Sequence, residues 1–166
     1  MNFSNAKDDK VSKPQHEYPL TSGQAALWFH YKLAPKSVAY NLAGAVAISG
    51  DIDLAALRRA FQKMAERHPM LRTIFASNLG EPVQRVCPSI VLAFQVEDAS
   101  RWDHTQFDTQ LEEEIYRPID LENGPNWRVV VFQNAPLSGE NHLEPRSGEH
   151  LVLLVLQAQP TKTYQP

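Results

Sequence analysis

Three stretches of the chain repeat apolar residues at the spacing of an amphipathic helix. The clearest begins at Asp51 or Asp53 and ends near Arg67. Its apolar positions fall three and four residues apart: Leu54, Leu57, Ala60, Phe61, Met64 and Ala65. They form one stripe, which predicts a helix packed on a sheet. A second helix is predicted from Thr21 or Ser22 to about Leu33, and a more polar third helix over residues 103–116.

Short apolar stretches of strand length lie between these helices. Strands are predicted at residues 40–49, 71–77, 82–86, 91–96, 127–132 and 150–157, with a turn at residues 78–81. Residues 40–49 are mostly small and apolar, which predicts a buried strand. The continuous apolar run at residues 150–157 predicts a central strand covered on both faces. Together the elements predict an α/β fold, a two-layer sandwich with a mixed sheet.

The polar ends of the chain bound the predicted domain. Residues 1–17 are polar and mixed in charge and predict a flexible leader, so the domain is expected at residues 18–157. Residues 158–166 predict an unrelated or disordered tail, and residues 134–148 a long loop. The first residues lack the apolar core of a signal peptide, and no apolar run reaches the roughly 20 residues of a membrane helix. We therefore expect a cytoplasmic protein with no membrane partner.

Composition removes several classes of function. The 166 residues carry a formal net charge of −3, which gives no basic surface for nucleic acid. The single cysteine, Cys87, excludes an internal disulfide and a Cys-rich zinc site, and we expect it to be a buried filler. Glu112, Glu113 and Glu114 are adjacent on a predicted helix and point in different directions, so a solvated face is expected there and not a metal site.

Residues 67–75, Arg-His-Pro-Met-Leu-Arg-Thr-Ile-Phe, form a junction where a helix is expected to turn directly into a strand. Pro69 disfavours the helical conformation of the residue before it, so the helix should end there. Most of the residues from Leu71 to Phe75 are β-branched or aromatic and favour a strand. His68 lies at this helix end, and we interpret it as a structural hydrogen-bonding residue.

Four segments, in the same order, resemble motifs of the condensation domains of nonribosomal peptide synthetases. Residues 67–75 resemble that family's Arg-His-x-x-Leu-Arg-Thr-x-Phe, and residues 21–28 its Ser-x-x-Gln-x-x-Leu-Trp. Tyr40-Asn41 and residues 117–128, which contain Ile-Asp-Leu and Gly-Pro, resemble two further patterns. The candidate motif residues are Ser22, Gln24, Leu27, Trp28, Arg67, His68, Leu71, Arg72 and Phe75.

The resemblance implies the fold of chloramphenicol acetyltransferase, in which two lobes form a V around an active-site tunnel. It covers residues 18 to about 156, which correspond to the N-terminal lobe. It also implies a reaction in which an acceptor amine attacks an aminoacyl or peptidyl thioester and an amide forms. Both substrates are carried on phosphopantetheine arms, so no cofactor is expected to bind this chain directly. The implied partners are carrier (thiolation) domains and a C-terminal lobe.

The family's third motif, His-His-x-x-x-Asp-Gly, is absent. Gln157 and Ala158 occupy the two histidine positions, and Lys162 and Thr163 the positions of the aspartate and glycine. In the family the second histidine acts on the attacking amine, and the aspartate pairs with an arginine that corresponds to Arg72. Glutamine and alanine accept no proton from an amine at neutral pH. We therefore expect no catalytic residue, and a gene truncated or frameshifted after Leu156.

Three functions remain open from the sequence. The first is a fragment of a condensation domain that is inactive alone and poorly soluble, because its apolar surfaces lack their cover. The second is a non-catalytic interaction lobe that docks a carrier protein or a separate C-terminal half. The third, a complete small acyltransferase, needs a base, and none of the six histidines has a recognisable catalytic spacing. Two interpretations of Arg67 and Arg72 remain. They brace an active-site loop through carboxylates, or they bind groups close by, either acids such as Glu66 or strand-end carbonyls. We favour the binding of groups close by.

Overall fold

The computed structural model describes residues 16–137 and 149–158. Two β-sheets form its frame, one of three strands in the order β1-β4-β3 and one of four in the order β2-β7-β6-β5. The elements in chain order are β1 (His16–Pro19), α1 (Ser22–Leu33), β2 (Asn41–Ser49), α2 (Leu54–Arg67), a 3-10 turn (Pro69–Arg72), β3 (Thr73–Asn78), β4 (Glu81–Val86), β5 (Phe94–Asp98), α3 (His104–Ile115), β6 (Trp127–Gln133) and β7 (Glu149–Gln157).

The four-stranded sheet is mixed, because β5 and β6 are parallel while β7 is antiparallel to both β2 and β6. Successive residues of β7 point to opposite faces. Leu151, Leu153 and Val155 face a core shared with α1 and α3. Val152, Leu154 and Leu156 face a core shared with α2. The predicted α/β fold with a mixed sheet is confirmed, and helices cover this sheet on both faces.

The three predicted helices are confirmed, and each begins at a side-chain cap. Thr21, Asp53 and Asp103 each accept a hydrogen bond from the backbone N–H three residues later, which satisfies an amide that has no partner inside the helix. The predicted apolar stripe of α2 packs on the sheet in part, because Ala60 and Met64, which belong to the predicted stripe, are exposed. Ala65 is completely buried, and Leu54, Leu57 and Phe61 pack against the core on that side of the sheet.

Strand β2 contradicts its prediction as a buried strand. It lies at the edge of the four-stranded sheet, and seven of its nine residues are exposed. The sequence shows that the strand is apolar but contains no signal for which neighbours cover it. Its partner β7 occupies the predicted central position, between β2 and β6.

Several boundaries also differ from those that the sequence predicts. His16 and Glu17, predicted as part of the leader, belong to β1, which pairs with β4. The strand predicted at residues 91–96 is observed at Phe94–Asp98. The helix α2 does not turn directly into a strand, because the 3-10 turn Pro69–Arg72 intervenes. The remainder of the leader, most of the predicted long loop and the tail beyond Ala158 lie outside the described residues.

Candidate functional site

The first motif residues begin helix α1 and join it to the small sheet. Thr21 and Gln24 form a capping box, in which each side chain accepts a hydrogen bond from the other residue's backbone N–H, at 3.3 Å and 3.0 Å. The buried Gln24 amide also donates to Gln84 Oε1 at 3.5 Å, and Gln84 donates to the Pro19 carbonyl at 3.1 Å. Ser22, the candidate from the sequence, is exposed, and the capping hydroxyl belongs to Thr21.

Trp28 of the first motif packs at the core together with Phe75. Trp28 is buried, and its ring lies 6.3 Å from that of Phe75 and 5.5 Å from that of Tyr31. The Phe75 backbone N–H donates to the Leu121 carbonyl at 2.8 Å. The structure therefore brings together residues from three of the four matching segments, those at residues 21–28, 67–75 and 117–128.

A small cavity lies where these motif residues meet the end of β7. Its volume of about 10 Å³ is roughly that of one water molecule. Seven residues line it: Gln24, Leu27, Trp28, Phe75, Leu121, Gln157 and Ala158. The positions that correspond to the two family histidines are thus adjacent to the first and second motifs. Lys162 and Thr163 lie outside the described residues.

The end of β7 is held by backbone hydrogen bonds on both sides. The Gln157 N–H donates to the Asn126 carbonyl at 2.9 Å, and the Ala158 N–H donates to the Tyr40 carbonyl at 2.8 Å. Gln157 is buried. None of the seven side chains around the cavity is an acid or base near neutral pH, so none can accept a proton from an amine.

Arg72 of the second motif binds backbone carbonyls. Its Nε donates to the Ala65 carbonyl at 3.0 Å, and its Nη1 donates to the carbonyls of Cys87 and Pro88. The side chain thereby joins the last turn of α2 to the segment that follows β4. Of the alternatives open from the sequence, these contacts correspond to the binding of backbone carbonyls, one in a helix and two after a strand. Cys87 is buried as expected, and burial raises the pKa of its thiol although Arg72 and Arg85 oppose that shift.

The remaining residues of the second motif do not line the cavity. Arg67 is exposed at the end of α2. His68 caps the helix with its backbone: its N–H donates to the Met64 carbonyl, and its own carbonyl accepts from the Leu71 N–H, both at 3.0 Å. The Leu71 carbonyl accepts a hydrogen bond from Trp127 Nε1 at 2.9 Å. These contacts give His68 and Leu71 structural roles.

The fourth matching segment is organised around Asp120. Its carboxylate accepts hydrogen bonds from the backbone N–H groups of Glu122 and Asn123, from the Asn123 amide and from the Tyr31 hydroxyl. Burial alone would raise the pKa of Asp120, but these hydrogen bonds outweigh it and the pKa lies below its ordinary value. Burial, followed by the charges of Asp120 and Glu122, raises the pKa of Tyr31 to about 12.

The sequence did not predict the ion pair between Glu114 and the buried Arg128. Glu114, expected on a solvated face, has a side chain only 20% exposed, and its Oε2 lies 2.7 Å from Arg117 Nη2 and 3.4 Å from Arg128 Nε. Glu112 and Glu113 are exposed as predicted. The available signal was Arg128 itself, the one charged residue in the apolar run of β6.

The histidines in the described ranges lie away from the cavity. His150 is buried, and its Nδ1 accepts a hydrogen bond from the Asn134 N–H at 3.3 Å. His30 is exposed and contacts the rings of Phe29 and Tyr40. Within residues 16–137 and 149–158 no group of three or more histidines, cysteines and acids is placed to hold a metal ion. No helix in those ranges is long and apolar enough to span a membrane.

Comparison with known proteins places this arrangement in a family. The condensation-domain model matches residues 14–139. The chain is 31% identical over 139 residues to gramicidin S synthase 2 of Brevibacillus brevis, covering 84% of this chain and 3% of that protein. It is 29% identical over 140 residues to tyrocidine synthase 3 of Brevibacillus parabrevis, covering 84% of this chain and 2% of that protein. The chain therefore spans only a small part of the length of these relatives.

Solved structures agree with this assignment at the level of the fold. The starter condensation domain of the rhizomide synthetase RzmA superposes with a TM-score of 0.72 at 21% identity, over 86% of this chain and 34% of that one. A four-domain nonribosomal peptide synthetase, holo-AB3403, gives a TM-score of 0.73 at 18% identity, over 87% of this chain and 10% of that one. Because the family model matches residues 14–139, the chain belongs to the condensation-domain family of nonribosomal peptide synthetases.

Proposed function

We propose that this chain is the N-terminal lobe of a nonribosomal peptide synthetase condensation domain, and that it forms no amide bond by itself. The observation that carries the proposal is the end of β7, where Gln157 and Ala158 adjoin the motif residues in a cavity without a proton acceptor. The span of the chain, 34% of a solved starter condensation domain, supports its assignment to one lobe.

The proposed lack of activity follows from the proton balance of amide formation. As the acceptor amine bonds to the thioester carbonyl carbon, the amine must lose a proton and the phosphopantetheine thiolate must leave. An imidazole can take that proton because it titrates near neutral pH. The Gln157 amide and the Ala158 methyl group have no such capacity.

A condensation assay tests this proposal. The purified chain is mixed with a donor thioester on its carrier protein and with an acceptor aminoacyl carrier, and the product is measured by mass spectrometry. We expect no product above the uncatalysed background, while an intact condensation domain given its own donor and acceptor carriers provides the positive control. Product above background would overturn the proposal and return attention to the histidines, beginning with His68.

A second candidate function is that of an interaction lobe in the cytoplasm, which docks a carrier protein or a separate C-terminal half. It is favoured by two exposed apolar residues one turn apart on α1, Phe29 and Leu33, which are 61% and 68% exposed. Surfaces of this kind mark protein contacts when they form a patch. Phosphopantetheine would then enter only as part of a bound carrier.

Calorimetric titration separates this candidate from an inert fragment. The chain is titrated with a holo-carrier protein and, separately, with the C-terminal half of a condensation domain. Binding that is lost in the Phe29→Ser/Leu33→Ser variant but kept in Tyr116→Ser, which changes another exposed apolar residue, supports docking through α1. No binding to either ligand would exclude this candidate for those partners.

A further inference from the structure

The turn that follows Leu121 contains an asparagine next to a glycine. Asn123 precedes Gly124, and no other asparagine in the chain is followed by glycine. Because glycine has no Cβ, its backbone nitrogen can approach the side-chain carbonyl carbon of the residue before it with little steric hindrance. Asn123 is exposed and lies outside the helices and strands. This pair therefore has both the sequence and the contact with water that deamidation of an asparagine requires.

Two hydrogen bonds hold Asn123 to a single carboxylate. Its backbone N–H donates to Asp120 Oδ1 at 3.1 Å, and its side-chain Nδ2 donates to Asp120 Oδ2 at 3.0 Å. Both bonds are exposed to solvent, so local opening of the turn breaks them without unfolding the core. The side-chain amide is restrained while these bonds are closed, and it is free to react when they open.

The same carboxylate joins this turn to helix α1. Asp120 Oδ1 accepts a hydrogen bond from the Tyr31 hydroxyl at 3.3 Å. Leu121, the next residue along the chain, lines the small cavity among the motif residues. A change at Asn123 that disturbs Asp120 therefore acts on the contact between the turn and α1, next to that cavity.

We propose that Asn123 is a site of spontaneous deamidation, and that the carboxylate formed there breaks the hydrogen bonds between the turn and Asp120. The Gly124 nitrogen forms a bond to Asn123 Cγ while the Cγ–Nδ2 bond breaks, and Nδ2 leaves as ammonia with the proton of the Gly124 N–H. Water then opens the resulting succinimide at either carbonyl, which yields aspartate or isoaspartate. The net reaction consumes one water and releases one ammonia, with no oxidation or reduction.

The product has two carboxylates where the unmodified turn has a donor and an acceptor. Asn123 Nδ2 lies 3.0 Å from Asp120 Oδ2, so an oxygen in its place brings two acceptors together and adds a negative charge. These like charges repel, and neither carboxylate donates a hydrogen bond at neutral pH. Isoaspartate also adds one carbon atom to the main chain before Gly124. Either product therefore opens the turn, whichever of the proposed functions the chain performs.

Peptide mapping by mass spectrometry tests the site. The folded chain is incubated in neutral buffer, and samples taken over time are digested and sequenced by fragmentation. We expect the amide of Asn123 to be lost progressively, with aspartate and isoaspartate both formed. Asn126 is the internal control in the same segment: it is buried and precedes Trp127, so it should keep its amide.

Two variants test the reaction and its control by the turn. Gly124 does not have a positive φ, and a Cβ there would meet only the Asp120 carbonyl oxygen at 3.6 Å, so Gly124→Ala should fold normally. Its methyl group hinders the attack on Asn123 Cγ, and deamidation should be slower. Asp120→Ser removes the carboxylate that restrains the amide, so deamidation at Asn123 should be faster than in the unmodified chain.

The variant Asn123→Asp reproduces one product without incubation. Asn123→Ala is its matched control, because both variants lose the hydrogen bond donated to Asp120 but only the aspartate adds a charge that faces it. Urea unfolding at neutral pH should therefore give a lower midpoint for Asn123→Asp than for Asn123→Ala. Both midpoints should lie below that of the unmodified chain.

Each contrary outcome overturns the proposal. An intact Asn123 amide after prolonged incubation, or equal rates in the unmodified chain and Gly124→Ala, excludes the reaction at this site. A folded Asp120→Ser variant that deamidates no faster excludes restraint of the amide by Asp120. Equal midpoints for Asn123→Asp and Asn123→Ala exclude repulsion as the consequence. Circular dichroism establishes that each variant is folded, and the comparison with Gly124→Ala decides the reaction even if Asp120→Ser does not fold.

Discussion

The Arg128 guanidinium is held by Glu114 beneath the C-terminal end of helix α3. Arg128 Nε lies 3.4 Å from Glu114 Oε2, and the arginine side chain is only 7% exposed. Its Nη2 also donates to the backbone carbonyls of Glu114 and Arg117. Burial and the nearby Arg117 lower the pKa of Arg128, while Glu114 acts in the opposite direction. One arginine thus joins the end of a helix to the sheet strand β6.

We expect Glu114→Gln to destabilise the fold by about 2 kcal/mol, because it leaves the Arg128 charge buried without its counter-charge. Glu112→Gln makes the same chemical change at an exposed site on the same helix and should alter stability by less than about 0.5 kcal/mol. Urea unfolding followed by circular dichroism measures both variants. Equal effects would show that the ion pair contributes nothing to stability.

The two arginines of the second motif should differ in the same kind of experiment. Arg72→Met removes hydrogen bonds to the carbonyls of Ala65, Cys87 and Pro88, and we expect a loss of about 2 kcal/mol. Arg67→Met is the matched control, since Arg67 is exposed, and its effect should stay below about 0.5 kcal/mol. Urea midpoints give the comparison. A larger loss for Arg67→Met would contradict the structural role assigned to Arg72.

Tyr31 makes stability depend on alkaline pH. Its pKa is raised from 10.0 to about 12 in the folded chain, so folding favours the protonated phenol. The sign follows from linkage: this contribution is fully present below pH 10.0 and is lost as the pH rises toward about 12. Tyr31→Phe has no phenol to ionise, so it lacks this alkaline loss. We expect the difference in the free energy of unfolding between the unmodified chain and this variant to shrink across that window.

Urea unfolding of both proteins at neutral pH and through the alkaline window measures this effect. Tyr116→Phe, at an exposed site, serves as the control and should keep the same alkaline loss as the unmodified chain. A deficit of Tyr31→Phe that is constant with pH would mean that Tyr31 does not titrate differently in the folded and unfolded states.

Local patterns predicted the helices and the central strand because these depend on neighbouring residues. The stripe and cap of α2 are encoded within one segment, and the continuous apolar run of β7 requires cover on both faces. The exposure of β2 depends on which strands pair with it, and its small apolar residues suit a buried or an exposed position equally. The polar strand β1 was not predicted, because its formation also depends on a strand distant in sequence. It pairs with β4, where Arg85 Nε lies 2.5 Å from Glu17 Oε1.

The candidate site was predictable where a motif fixed the position of a residue. The family's third motif follows a strand, and its alignment with β7 predicts Gln157 and Ala158 at the two histidine positions. The structure places both at the cavity with Gln24 and Phe75. The partnership of Glu114 with Arg128 was not predictable, because it depends on how the end of α3 lies over β6. No local pattern distinguishes Glu114 from its two acidic neighbours.

Gln24 offers a test of how far a motif residue supports the fold, because the chain contains two capping boxes. The box of Thr21 and Gln24 is tied through the buried Gln24 amide to Gln84, whereas the box of Asp103 and Gln106 is exposed. Gln24→Ala should cost about 2 kcal/mol, since it removes the reciprocal cap and leaves Gln84 Oε1 without its donor. Gln106→Ala removes the equivalent cap alone and should cost about 0.5 kcal/mol. Thermal and urea unfolding of the two variants decide whether the motif glutamine stabilises the fold through its link to the small sheet. Equal losses would limit its role to capping.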